Sequence, residues 1–78
     1  AVAFTFPAAT GVRTICIVET SNDVYIFEFK LDGSADAAIQ QIKDKGYARE
    51  YEASPKHIHL IGCNFSSKAG TIDGWEVR

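Results

Sequence analysis

The chain has 78 residues, 46% apolar and 23% charged, enough for one small folded domain spanning 1–78 and too apolar for disorder. Its formal charge of −2, from 8 basic and 10 acidic residues, excludes the strong basic excess of a dedicated nucleic-acid clamp. No apolar run approaches the roughly 20 residues that cross a bilayer, and Ala1 to Phe6 lacks the charged start and apolar core of a secretion signal, so the expected setting is cytoplasmic with no membrane partner.

In chain order, Val2 to Phe6 alternates as a strand does and stops at Pro7, and Pro7 to Gly11 reads as a connector. Arg13 to Thr20 (RTICIVET) is β-branched and apolar, the pattern of a strand buried on both faces. Ser21-Asn22-Asp23 supplies turn chemistry, and Val24 to Lys30 (VYIFEFK) closes a β-hairpin. Ser34 is placed as an N-cap ahead of Ala35, Ala38, Ile39 and Ile42, which recur on one helical face, and Gly46 closes that helix. Tyr47 to Tyr51 suits a short helical turn. His57 to Phe65 and Ile72 to Val77 are the last two strands. The order β-β-β-α-β-β is α/β. The helix between Lys30 and His57 permits a crossover, so a mixed central β-sheet with a hairpin and a crossover helix is expected.

The cysteines, Cys16 and Cys63, fall within strand-like runs without metal-binding spacing and read as buried free thiols. His57 and His59 share a strand face but suggest no third zinc ligand. Lys43, Lys45 and Arg49 are interrupted by Asp44 and Glu50, which suits a solvated face.

Chemistry concentrates at Glu28-Phe29-Lys30. Residues two apart on a strand share a face, so Glu28 and Lys30 stand together while Phe27 and Phe29 take the other side. A carboxylate and an amine in an apolar strand are costly to bury unpaired. They suit an edge strand with a solvated polar face, a structural ion pair, or a catalytic pair. A tight turn over Thr20 to Asp23 sets Val18 opposite Tyr25, Ile17 opposite Ile26, Ile15 opposite Glu28 and Arg13 opposite Lys30.

Val24 to Asp32 (VYIFEFKLD), Ala37 to Lys43 (AAIQQIK), Lys45-Gly46-Tyr47-Ala48 and Leu60 to Ser66 (LIGCNFS) follow one another over almost the whole chain. Together they resemble the PD-(D/E)XK nuclease-like domain found at the C-terminus of bacterial AAA-type ATPase-like proteins. The resemblance implies a restriction-endonuclease-like core acting on nucleic acid as a metal-dependent phosphodiester hydrolase. The family's ExK triplet matches Glu28-Phe29-Lys30. Glu28 and the Phe29 backbone carbonyl would hold Mg2+, with Glu28 and Lys30 as the catalytic pair. Gln41 and Tyr47, or Tyr51 in its place, would touch substrate.

The same pattern puts a metal-binding Asp four residues before the acid matched by Glu19, and that position is Ile15. Mg2+ favours oxygen ligands, one or two of them carboxylates, and works by acidifying a bound water and stabilising phosphate charge. Glu19 lies about 13 Å along the strand from Ile15, too far to substitute. Weak or absent Mg2+ binding and weak or absent cleavage are therefore expected. The alternative is a non-catalytic interaction or assembly domain. Relatives carry a helix ahead of the first strand, so the resemblance implies a core truncated at its N-terminus, with one bare sheet face and a homodimer as the expected consequence.

Overall fold

The computed structural model describes residues 2–8 and 11–78, with side chains described from residue 15 onward. Strands β1 (Val2–Ala8), β2 (Gly11–Glu19) and β3 (Asp23–Leu31) are followed by helix α1 (Ala35–Lys45). A 3-10 helix (Arg49–Tyr51), β4 (His57–Ser66) and β5 (Thr71–Val77) complete the order. The short 3-10 helix falls within Tyr47 to Tyr51, where a helical turn is expected. The strands form one mixed sheet in the order β1-β2-β3-β4-β5. β3 and β4 run parallel, and the other neighbouring pairs are antiparallel.

The β2–β3 turn sets the register. The Thr20 amide donates to the Asp23 carbonyl at 2.8 Å, and the Asp23 amide donates to Thr20 Oγ1 at 3.0 Å. The ladder then pairs Val18 with Tyr25, Ile17 with Ile26 and Ile15 with Glu28, as the turn predicts. The β2–β3 ladder runs as far as Thr14 and Phe29, and the side chain of Arg13, expected to face Lys30, lies outside the described residues.

β1 does not stop at Pro7. It runs on to Ala8, with Pro7 opposite Val12. An edge strand tolerates the missing amide, because one side of its backbone has no strand to bond. The expected connector from Pro7 to Gly11 is shorter for the same reason, as Gly11 already belongs to β2; residues 9 and 10 lie outside the described residues.

Helix α1 is capped at both ends. Ser34 Oγ accepts the Ala37 amide at 3.0 Å, and Gly46 adopts φ 67°, where its amide reaches the Ile42 and Lys43 carbonyls. Ala38, Ile39 and Ile42 are buried, and Lys43 and Lys45 sit in the last turn, where cations complement the helix dipole. The helix packs on β3 and β4. Gly62 of β4 is what lets it come so close. A Cβ there would press on the Ala35 carbonyl oxygen and lie 3.0 Å from Ala38 Cβ and from Ile39 Cγ1.

Among the described residues the core lies on the helix side of the sheet. Ile15, Ile17, Val24 and Ile26 are buried there with Ile42. Burial of each such side chain contributes roughly 1.5–3 kcal/mol. On the opposite side Cys16, Val18, Phe27, Phe29, Ile61 and Cys63 are only half-buried. β2 is therefore not buried on both faces, and the two free thiols are not core residues. No described element covers that side. A single helix has width for one face of one sheet.

Beyond β3, Asp32 turns the chain at φ 53°, a conformation Asp adopts more readily than most residues. Its carboxylate accepts from the Ser67 hydroxyl at 2.6 Å and the Ser67 amide at 2.9 Å. These bonds, the hydroxyl's first, hold the Asp32 carboxyl below its usual range. A carboxyl with a lowered folded pKa adds stability above its unfolded value of about 3.9 and loses that stability as pH falls through the folded value. Asp32→Asn keeps the backbone preference and removes the charge. It is expected to lower the melting temperature at neutral pH and to match the wild type at the acid end of a titration. A deficit of equal size across the whole range counts against the Asp32–Ser67 contact as its source.

Candidate functional site

Alternation along β3 puts Val24, Ile26, Glu28 and Lys30 on the helix side. Glu28 is fully buried. β3 is the central strand of the sheet, so the solvated edge-strand reading of Glu28 and Lys30 does not hold. In the sheet Glu28 is flanked by Ile15 on β2 and Gly62 on β4, and Ile15 is 1% exposed. The oily branched residue and the acid thus stand side by side on one face.

Lys30 is half-buried. Its ammonium donates to Gln41 Oε1 across a long 3.4 Å contact. Gln41 is half-buried rather than on a solvated flank. Glu28, Lys30 and Gln41 are therefore brought to one region. Tyr47 packs with Tyr51 against the core cluster that holds Ile15 and Ile26. Burial, with Glu50 and Glu19 adding to it, pushes the Tyr51 phenol up. Phe29 points to the other side of the sheet, its ring stacked on Phe27 at 6.4 Å, and its backbone pairs with Thr14 and Cys63.

Asn64 is a site-forming residue that alternation alone did not single out. It lies opposite Lys30 in the parallel ladder and is 4% exposed. Its Oδ1 accepts the Gly33 amide at 2.8 Å, and its Nδ2 donates to Asp73 Oδ1 at 2.8 Å. One buried amide thereby ties the loop after β3 to β5 and holds that loop over the Lys30 stem. The sequence signal was available in hindsight: Asn64 shares the alternation of Leu60 and Gly62, which puts a polar residue on an apolar face.

Among the described residues the ladder neighbours of Glu28 add no second carboxylate beside it. Its neighbours in the sheet and along its own strand are Ile15, Gly62, Ile26 and Lys30. Among the described residues no group of three or more His, Cys, Asp or Glu is placed to hold a metal. Residues 1–14 contain none of those four types. Glu19 is turned away to Lys56, 2.6 Å distant.

The remaining candidates separate from this region. His59 bonds Asp23 at 2.9 Å and stacks on Tyr25, while His57 is exposed. Burial pushes the Cys63 thiol up, which makes it a poorer nucleophile. Among the described residues no helix is long and apolar enough to cross a membrane.

Residues 10–75 match the family model of the PD-(D/E)XK nuclease superfamily. A protein of Azotobacter chroococcum mcd 1, described as an uncharacterized protein in the vnfD 5' region, is 46% identical over 57 residues. The match covers 70% of this chain and 11% of that relative, so the chain spans only a small part of the protein it resembles. No solved structure matches.

Proposed function

The chain belongs to the PD-(D/E)XK nuclease superfamily, and from that premise we propose that it is a nuclease-derived domain whose catalytic site has decayed. Glu28 takes the place of the family's ExK acid, Lys30 that of its lysine, and Ile15 that of the absent metal-binding Asp. The observation that carries this reading is Ile15 buried directly opposite Glu28. An aliphatic side chain there removes a ligand and dries the position. Mg2+ binding by Glu28 and the Phe29 carbonyl is then weak or absent, and phosphodiester hydrolysis with it.

What persists is the framework of a nucleic-acid site. Lys30 offers a cationic donor, Gln41 holds it, and Asn64 fixes the loop beside it. Tyr47 belongs to the substrate surface in this reading. The same reading sets the domain at the C-terminal end of a longer AAA-type ATPase-like protein, supported by the sequence resemblance and by the much greater length of the relative. A cytoplasmic setting fits the two free cysteines. A role in interaction or assembly without catalysis is the second reading, and the uncovered apolar side of the sheet favours it.

Calorimetric titration of Mg2+ and Mn2+, with cleavage of plasmid and single-stranded DNA assayed in parallel, tests the proposal. The expected result is no tight binding and no cleavage that Lys30→Ala removes. Tight binding together with turnover abolished by Lys30→Ala overturns it.

A further inference from the structure

The chain holds two Asp-Gly pairs, Asp32-Gly33 and Asp73-Gly74, and the Glu28 site accounts for neither. In such a pair the glycine brings no Cβ to hinder its own nitrogen or to restrict its dihedrals, so that nitrogen can reach the neighbouring carboxyl carbon. Asp73-Gly74 lies within β5, with Gly74 paired to Asn64 in the ladder. Extended backbone holds that pair in one conformation. Asp32-Gly33 is different, because it lies exposed in the loop between β3 and α1 with Asp32 at φ 53°.

Two contacts hold the exposed pair, one on each reacting group. The Gly33 amide donates to Oδ1 of Asn64 at 2.8 Å, and Asn64 is 4% exposed. Both carboxylate oxygens of Asp32 accept from Ser67, one from its amide at 2.9 Å and one from its hydroxyl at 2.6 Å. We propose that Asp32-Gly33 is a site of spontaneous isoaspartyl formation, which Asn64 and Ser67 hold closed by engaging the attacking nitrogen and the carboxyl group it attacks.

The chemistry needs no co-reactant but water. The Gly33 nitrogen forms a bond to Asp32 Cγ, and the hydroxyl of the protonated carboxyl group leaves with the amide hydrogen as water. Water then opens the five-membered succinimide at either carbonyl. Cleavage at Cγ restores Asp32, and cleavage at its main-chain carbonyl leaves the chain running through the side chain. Each contact opposes one requirement. A nitrogen donating to a buried acceptor must give up that bond before it can attack. A carboxylate must take up a proton before it can lose hydroxyl, and the Ser67 donors favour the charged form. The isoaspartyl product adds one carbon to the backbone between β3 and α1. That carbon displaces Gly33 from Asn64 and releases the loop held over the Lys30 stem.

The inference does not rest on the nuclease ancestry and is tested apart from it. Folded wild type, folded Ser67→Ala and wild type unfolded in guanidinium chloride are incubated at neutral pH and digested with trypsin. The two pairs fall in separate peptides, 31–43 and 69–78, whose Asp and isoaspartyl forms are separated by chromatography and assigned by electron-transfer fragmentation. Unfolded chain is expected to isomerise at both pairs, and folding to slow Asp32 by roughly tenfold or more. Ser67→Ala removes one hydrogen bond to a charged group and is expected to restore roughly tenfold of that rate, with Asp73 as slow as in the wild type. Hydrogen exchange at the Gly33 amide supplies a measurement without substitution and is expected to be slow despite the exposure of the loop. Isomerisation of Asp32 at one rate in folded and unfolded chain overturns the proposal, as does its absence from both. An unchanged rate in Ser67→Ala, or exchange of the Gly33 amide as fast as in the unfolded chain, overturns it too. Equal acceleration at Asp32 and Asp73 in Ser67→Ala would trace the effect to general unfolding and overturns the role of Ser67.

Discussion

Ile15→Asp is expected to be severely destabilising in EDTA and to recover much of its stability when Mn2+ or Mg2+ is added. Ile15 is 1% exposed and packs in the core cluster with Ile17, Val24, Ile26 and Ile42. Replacing it removes a buried branched side chain and leaves a second carboxyl group beside Glu28. Loss of the packing and burial of an uncompensated carboxylate together cost about 4 kcal/mol or more. For a domain this small that is most of the folding free energy. A cation between the two carboxylates reverses the loss. A metal present at about a hundred times its dissociation constant stabilises by about 2.7 kcal/mol, on the order of 10–20 °C in melting temperature. Ile15→Asn has nearly the same shape and no charge, and its lower stability is expected to ignore the metal. If Ile15→Asp melts at one temperature with and without the cation, the position beside Glu28 is not a metal position and the decayed-nuclease reading loses its central support.

Gly62→Ala is the second large effect, and it concerns the placement of the helix. A single methyl group at Gly62 runs into the Ala35 carbonyl oxygen and lies 3.0 Å from both Ala38 and Ile39. The obstacle includes backbone, so no rotamer change relieves it. The helix must move outward, opening the core over Ile39 and Ile42. Overpacking of this kind costs about 3 kcal/mol, equivalent to on the order of 10–20 °C for a domain of this size. Gly74→Ala makes a fair control, because an added Cβ there meets nothing within 4 Å. Equal melting temperatures for the two variants would show that α1 does not sit against Gly62. Because Gly62 also stands beside Glu28, Gly62→Ala is expected to disturb the packing around the acid as well.

Much of the fold was legible because it is local. The Thr20–Asp23 turn fixes the hairpin register over a few residues, so the pairing of Ile15 with Glu28 followed from the turn alone. Ser34 and Gly46 cap α1 through contacts within four residues. Strand alternation needs only the backbone to be extended. These interactions depend on neighbours in sequence, and the amino-acid pattern therefore contains them. Even the crossover to a parallel β4 was a topological consequence of a helix between two strands.

Other features were decided between segments far apart in the chain. That β3 is central rather than an edge, that α1 covers one side only, and that Lys30 reaches Gln41 while Asn64 closes the loop over Lys30 all depend on where β4 docks. Residue patterns say which side of a strand is oily, but not what will be laid against it. Both sides of β2 read as apolar, and only packing distinguishes Ile15 in the core from Cys16 on the open side. The sequence by itself determined the hairpin, its register and the placing of Ile15 beside Glu28, because each follows from short-range backbone geometry. The tertiary structure alone decided which apolar side is covered and which polar groups meet near Lys30, because those depend on long-range contacts that periodicity does not encode.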